Sequence, residues 1–344
     1  MMDKRIAIVI LNWNGRQMLE QYLPSVMEHS EQAQVVVADN ASTDDSLEYL
    51  RTNYPQVKLI VNDKNYGFAE GYNKALAHVE ADYYVILNSD VEITPNWIEP
   101  VVELMESDEN IAICQPKLLS HINRENFEYA GGAGGFIDRF GYPFCRGRVF
   151  STLEKDEGQY DDVREVFWAT GAAMFVKAPL FHKLGGFDGD FFAHMEEIDF
   201  CWRAKNSGYK VMYCPASKIY HVGGGTLPPS SPFKTFLNFR NNFALLYKNL
   251  RRISIAYVFP ARIVLDYVAA VRFLTEGKPK EFWAVVRVHF AFYRMVPSLT
   301  RKRRKMDHRK VGEIYRGSIV VANYLLKKSR FSMYKEGKFS REND

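Results

Sequence analysis

Four short apolar runs, at residues 6–11, 35–38, 57–61 and 83–87, alternate with stretches of helical period at 17–28, 44–52 and 69–78. Parallel strands need a crossover, usually a helix, so this alternation predicts a parallel sheet. The runs are apolar on consecutive residues, so both faces of each strand are expected to be covered. The predicted class is α/β: a mostly parallel, Rossmann-like sheet with helices on both faces. In such sheets ligands sit outside the carboxyl ends of the strands. The polar clusters of this chain begin where those strands stop.

After the first run come Asn12, Trp13, Asn14 and Gly15, a polar turn with free backbone N–H groups that, alone, reads as an ordinary turn. The second run ends at Asp39, placed where a carboxylate can accept hydrogen bonds from a base or ribose. Ser42 or Thr43 beyond it can cap the next helix, and Asp44 and Asp45 suit its positive end. The third run leads to Asn65, Tyr66, Gly67, Phe68, Ala69, Glu70, Gly71, Tyr72 and Asn73. The glycines permit close approach, but there is no GxGxxG and no Lys after either glycine, which excludes a Walker loop. The fourth run delivers Asn88, Ser89 and Asp90. A carboxylate there can hold Mg2+ or Mn2+ against a diphosphate, because these hard cations prefer oxygen ligands.

Residues 118–165 are rich in Gly, Arg and aromatics and are expected to form an irregular insertion, a flap near the site. Regular pattern returns at 166–176. A helix is expected from near Met195, then a strand pair at 210–213 and 218–221.

Charge divides the chain. Residues 1–229 hold 20 Lys and Arg against 33 Asp and Glu, whereas residues 230–344 hold 25 against 8. A basic half suits nucleic acid, an anionic membrane surface or a phosphorylated partner. Helical segments are expected at 233–250, 253–275 and 281–295. None has the roughly 20 uncharged apolar residues of a spanning helix, since Pro260, Arg262, Asp266 and Arg272 interrupt the second. Such a helix fits the membrane interface, and Arg301, Lys302, Arg303, Arg304 and Lys305 add a cluster of the kind that binds anionic lipid. The plain alternative is a solvated basic face. Four scattered cysteines suit a reducing compartment. The run at 6–11 is too short for a signal peptide, so none is expected.

Taken in order, these strand-end clusters resemble glycosyltransferase family 2, built on the GT-A nucleotide-sugar fold, over about residues 5–225. Further along, Trp168, Ala169, Thr170, Gly171 and Ala172 look like the family's acceptor-side strand. Gly185, Gly186, Phe187 and Asp188 lead into Phe191, Phe192, Ala193, His194, Met195, Glu196, Glu197, Ile198 and Asp199, with Arg203 beyond, which is similar to its acidic catalytic segment. Tyr213, Cys214 and Pro215, then Ile219, Tyr220 and His221, follow as in the rhamnosyltransferase-like branch.

The resemblance implies specific roles. Asp39 would contact the nucleoside, with Asn12, Asn14, Asn40, Asn65, Gly67, Asn73, Asn88 and Ser89 around the donor. Asp90 and His221 would ligate Mg2+ or Mn2+. Glu197 would be the general base, with Glu196 the alternative, and Trp168, Gly171, Glu196 and Asp199 would lie on the acceptor side. Asp199 and Arg203 also read as a structural i,i+4 pair. The family's metal motif often begins with Asp where this chain has Asn88, a loss that should weaken metal binding. The implied activity is inverting transfer of a sugar, from dTDP-rhamnose or a UDP-sugar, to a hydroxyl of a lipid-diphosphate-linked glycan in surface polysaccharide assembly.

The expected organisation is a GT-A domain at 1–229 and a helical, basic, membrane-associating region at 230–344. The expected place is cytoplasmic, peripheral on the inner face of the cell membrane, with no nucleic acid partner. Asn88 keeps a catalytically degenerate scaffold in view. A lipid- or nucleic-acid-binding protein would leave the ordered acids of the front half unexplained. A nucleotidyltransferase would open with a Gly-rich basic loop where this chain has Asn12 to Gly15.

Overall fold

The computed structural model describes residues 4–223 and 231–341. The first half alternates as the sequence predicts: β1 (Ile6–Asn12), α1 (Arg16–Glu28), β2 (Ala33–Asp39), α2 (Ser46–Asn53), β3 (Lys58–Val61), α3 (Gly67–Leu76) and β4 (Tyr83–Leu87). Then come β5 (Val91–Ile93), α4 (Glu99–Glu106), β6 (Ile111–Ser120), β7 (Gly135–Asp138), β8 (Pro143–Cys145), β9 (Arg148–Val149), β10 (Thr152–Leu153) and β11 (Arg164–Glu165). The chain continues through β12 (Ala173–Lys177), α5 (Ala178–Lys183), α6 (Glu196–Asn206), β13 (Lys210–His221), α7 (Pro232–Asn249), α8 (Arg252–Thr275), α9 (Pro279–Arg303), β14 (Ile314–Tyr315) and α10 (Ile319–Tyr324).

The large sheet runs β11-β13-β6-β12-β4-β1-β2-β3, with β5 paired to β13. Its β4-β1-β2-β3 half is wholly parallel. Next to it β12 runs antiparallel to β4 and β6, while β13 is parallel to β6. Side chains of β1 alternate between two cores. Ala7 and Val9 join Tyr72 of α3 and Phe200 of α6 on one face; Ile6, Ile8 and Ile10 join Leu19 and Leu23 of α1 and Trp97 on the other. Each fully buried Ile or Val contributes about 1.5–3 kcal/mol, well above the ~0–1 kcal/mol of a surface ion pair. This two-sided burial is why continuous apolar runs, and not alternating ones, encode β1, β2 and β4; β3, at the end of the sheet, is not covered as expected, and its Lys58 and Val61 are exposed.

Two expectations change. Residues 118–165 are not an irregular flap. They carry four strands of a second sheet, of order β10-β9-β8-β7-β14, and their Phe136, Phe144 and Val149 are fully buried. The strand pair at 210–213 and 218–221 is the single strand β13, with a register shift between Cys214 and Lys218.

The basic region is helical to Arg303, as expected, and then returns to the front half. Its β14 adds to β7 in parallel, and Tyr315, Phe331, Tyr334 and Phe339 pack around Phe136 and Phe144. The boundary at 229/230 falls outside the described residues. Among the described residues α8 is long and apolar enough to cross a membrane by length and composition. Its centre, however, carries a buried pair, Arg262 Nε to Asp266 Oδ1 at 2.8 Å. Arg262 is further bonded to Asn242 and the Phe140 carbonyl, and Asp266 accepts from the Tyr142 hydroxyl. The opposite face leaves Ile253, Val264, Val268 and Val271 exposed.

Candidate active site

The ends of β1, β2, β3 and β4 converge. Asn12 is fully buried, and its amide donates to Asp39 Oδ1 at 3.0 Å and to Ser42 Oγ at 3.1 Å, while its own Oδ1 has no partner. Asp39 also accepts from the Ser42 amide and hydroxyl at 2.8 and 2.6 Å. Those bonds shape the turn after β2 around the carboxylate. Asn14 is exposed, with φ of 51°, and its Oδ1 accepts the Thr43 N–H at 2.7 Å. Asn40 bridges the β2 and β3 ends: its amide reaches Asn65 Oδ1 and the Gly67 carbonyl, both at 3.0 Å. Gly67 has φ of 71°, and a Cβ there would lie 2.6 Å from the Phe192 ring.

Asn73 does not face this mouth. Its Oδ1 accepts the Phe187 N–H and its Nδ2 donates to the Phe187 carbonyl, each at 2.8 Å, so it ties α3 to the turn before Asp188. Trp168 is likewise structural here. It is buried, with Nε1 bonded to the Phe136 carbonyl at 3.0 Å, and its ring fills the space a side chain at Gly135 would take. Gly171 packs against Phe68, where a Cβ would lie 2.9 Å from the ring.

Beyond β4, Asn88 and Ser89 are half-buried and Asp90 is buried. The antiparallel pairing of β5 with β13 sets Val91 opposite His221. That register brings His221 Nε2 to 3.1 Å from Asp90 Oδ1, with Asn88 Nδ2 3.4 Å from the same nitrogen. On the ring's other side Nδ1 lies 3.3 Å from Glu128 Oε1. Burial alone would lower the His221 pKa, but Glu128 and Asp90 push it up to about 10. Burial would raise the Asp90 carboxyl, yet the His221 hydrogen bond and charge hold it below the usual range.

The acidic segment is reached through a turn of left-handed residues, Phe192, His194 and Met195, with φ of 66°, 68° and 74°. Glu196 and Glu197 then open α6, each with Oε2 unpartnered and shielded from solvent. Burial raises the Glu197 carboxyl to about 7, against the opposing pull of nearby backbone N–H groups. Glu196 is pushed higher, by burial and then by Glu197 beside it. Of the two, Glu197 is the carboxyl that ionises more readily near neutral pH. Asp199 is committed elsewhere: Arg203 Nε, Lys248 Nζ and Asn249 Nδ2 each reach it at 2.8 Å. The ion pair with Arg203 is thus present, and Asp199 anchors α6 to α7.

The two acidic centres share a scaffold. Cys201, one turn beyond Glu197, accepts the Ala169 N–H at 3.4 Å. The same segment leads to Ala173, which pairs with Leu87 on β4. The Asn88 N–H donates to the Ala172 carbonyl at 3.0 Å.

Two residues here carry no sequence signal. Glu128 is one of several acids scattered through the 118–165 segment, while Lys248 lies in α7, whose pattern reports only its apolar face.

The Glycosyl transferase family 2 model matches residues 7–153. The N-acetylglucosaminyl-diphospho-decaprenol L-rhamnosyltransferase of Mycobacterium tuberculosis is 24% identical over 233 residues, covering 63% of this chain and 75% of that protein. The dTDP-rhamnosyl transferase RfbF of Shigella flexneri is 27% identical over 266 residues, covering 72% and 82%. A solved structure of GalNAc-T7 with UDP, GalNAc and Mn2+ superposes with a TM-score of 0.55 at 20% identity. It covers 72% of this chain, which spans about half (49%) of the length of that protein, and it shares the GT-A fold.

Proposed function

We propose that this chain, whose residues 7–153 match the Glycosyl transferase family 2 model, moves a sugar with inversion from dTDP-rhamnose or a UDP-sugar to a hydroxyl on a lipid-diphosphate-linked glycan. The observation that carries this reading is the solvent-shielded, unpartnered Oε2 of Glu197 at the start of α6, on the same scaffold as the Asp90–His221 pair. The rhamnosyltransferase names of its relatives support the donor and the lipid-linked acceptor.

The residues present fit a divalent cation. Asp90 offers an oxygen donor and His221, once the cation displaces its Nε2 proton, a nitrogen donor, both buried and facing one another. No group of three or more His, Cys, Asp or Glu able to hold a metal occurs among the described residues. Two protein ligands suit Mg2+ or Mn2+, which keep several waters and substrate phosphates. When bound, the ion would neutralise charge on the departing diphosphate.

The chain's own residues do the rest. Glu197 takes the proton of the acceptor hydroxyl as its oxygen bonds to the anomeric carbon. The bond from that carbon to the donor phosphate breaks, and its electron pair leaves with the nucleoside diphosphate. Attack opposite the leaving group inverts the centre, and no glycosyl-enzyme is needed. Glu128, 3.3 Å from His221 Nδ1, orients the ring so that Nε2 faces Asp90.

We place the enzyme in the cytoplasm, peripheral on the inner membrane face. The exposed apolar residues of α8, with Trp283, Phe290 and Tyr293 of α9, support this, as does the excess of Lys and Arg after residue 230. Each Lys or Arg near an anionic surface adds about 1 kcal/mol.

The test is transfer itself. The full chain is mixed with Mn2+, dTDP-rhamnose or UDP-sugars, and vesicles carrying polyprenyl-diphosphate N-acetylglucosamine. Metal-dependent appearance of the sugar on the lipid is expected. No transfer from any donor, with no thermal stabilisation by dTDP or UDP, would leave a degenerate scaffold.

A further inference from the structure

The turn that delivers Glu197 has its backbone carbonyls bonded one by one, and most of the donors come from the basic region. Arg240 Nη2 reaches the Asp190 and Phe191 carbonyls, both at 3.1 Å. Asn241 Nδ2 lies within hydrogen-bond reach of the Phe191, Ala193 and His194 carbonyls at 2.9, 2.8 and 2.8 Å. The remaining carbonyl, of Phe192, accepts the Phe68 and Ala69 N–H groups that open α3, at 2.8 and 3.2 Å. Below the turn Lys248 and Lys302 both bind Asp188.

Asn241 is the centre of this arrangement. It is fully buried, and its orientation is fixed, because Oδ1 accepts from Arg240 Nε and Nη2 at 2.9 and 2.7 Å. With the oxygen held by a guanidinium, the amide nitrogen must face the turn. The turn needs such support: Phe192, His194 and Met195 all adopt left-handed φ without being glycine. Residues in that region persist only where their surroundings over-determine them.

We infer that Asn241 is a positioning residue for sugar transfer: its amide holds the Phe191, Ala193 and His194 carbonyls so that the first turn of α6 aims Glu197 at the acceptor. This rests on Glu197 being the base. Asn241 touches neither substrate nor reacting atoms. It extends the working part of the enzyme into the region whose sequence reads only as a basic, membrane-facing helix.

The test uses the full chain with Asn241→Ala and Asn241→Asp. The aspartate keeps the shape and the Arg240 partner but removes both N–H donors. A displacement of about 1 Å at a reacting group lowers turnover about 100-fold, so a kcat loss of about that size is expected. Donor KM and dTDP or UDP binding with Mn2+ should stay near wild type, because Asn12, Asp39 and Asp90 take their hydrogen bonds from other elements and the Phe192 carbonyl that meets α3 is not one Asn241 holds. A merely structural role would weaken binding and turnover together, and that result overturns the proposal, as does a kcat near wild type in both variants. Arg240→Met leaves Asn241 in place but frees its orientation, and the same split at smaller size is expected. Unchanged kcat there overturns the proposal even if the Asn241 variants do not fold. Glu197→Gln separates the two claims: if it retains turnover, the base assignment fails; if it loses turnover and the Asn241 and Arg240 variants do not, only the positioning role fails.

Discussion

His221 and Asp90, 131 residues apart in the chain, meet at 3.1 Å because β13 lies antiparallel beside β5. Behind His221 stands Glu128, so a carboxylate absent from position 88 is matched by one that backs the histidine. Partners of this kind affect metal affinity about 10–100-fold. Asp90→Ala should abolish the Mn2+ dependence of dTDP or UDP binding in calorimetry, and Glu128→Gln should weaken it about 10-fold or more. Equal affinities for the Glu128 variant and wild type, with and without Mn2+, would remove Glu128 from the site.

The Glu197 carboxyl is raised by burial to about 7, with Glu196 beside it and Cys201 a turn beyond as its titratable neighbours. A base must be ionised to work, so kcat should rise with pH through about 7 and level off above it. A flat profile from pH 5 to 8 would point to another base.

Glu197→Gln should reduce kcat by about 100- to 10,000-fold with donor affinity unchanged. The same change should stabilise the fold. A carboxyl whose folded pKa lies above its unfolded value favours folding when protonated, and loses that contribution as pH rises through the folded pKa. The neutral amide removes this loss, so the melting temperature should rise at pH 8 and change least at pH 5. A fall at pH 8 would contradict the burial argument.

Val264 and Val268 project from the exposed face of α8. Val264→Asp with Val268→Asp should reduce co-sedimentation with anionic vesicles while leaving the melting temperature near wild type. Binding that survives both changes would put the membrane surface elsewhere on the molecule.

Gly67→Ala should destabilise by at least about 1–2 kcal/mol, the cost of a left-handed residue with a Cβ, plus the contact with Phe192. Because Phe192 belongs to the turn before Glu197, kcat should fall as well. A melting temperature within a degree of wild type would mean that the turn yields at no cost.

Local features were legible and distant ones were not. Residues 83–87 read directly as β4, because a strand buried on both faces is written in consecutive residues. Strands of two to four residues, such as β7, β9 and β10, are too short for any period to register. The partner of β7 is also supplied by Ile314 and Tyr315, far along the chain. The strand-end asparagines and acids were visible for the same local reason. Their roles were less so: Asn73 and Trp168 stand in recognisable motifs yet spend their polar atoms on backbone carbonyls and amides. Glu128 and Asn241 act through the tertiary fold, and nothing in their neighbours' sequence marks them.

The order of synthesis follows from where the donors to the Phe191 turn lie. A nascent chain complete only to residue 229 already contains every strand of the large sheet. It still lacks Arg240, Asn241, Lys248 and Lys302, and the rings of Phe331 and Phe339 that close the small core. Domains form as their residues emerge, so a donor-binding sheet can precede a functioning transferase. A chain ended at residue 229 is then expected to leave the Phe191 turn without its α7 and α9 donors and the Phe136 ring without Phe331 and Phe339 against it.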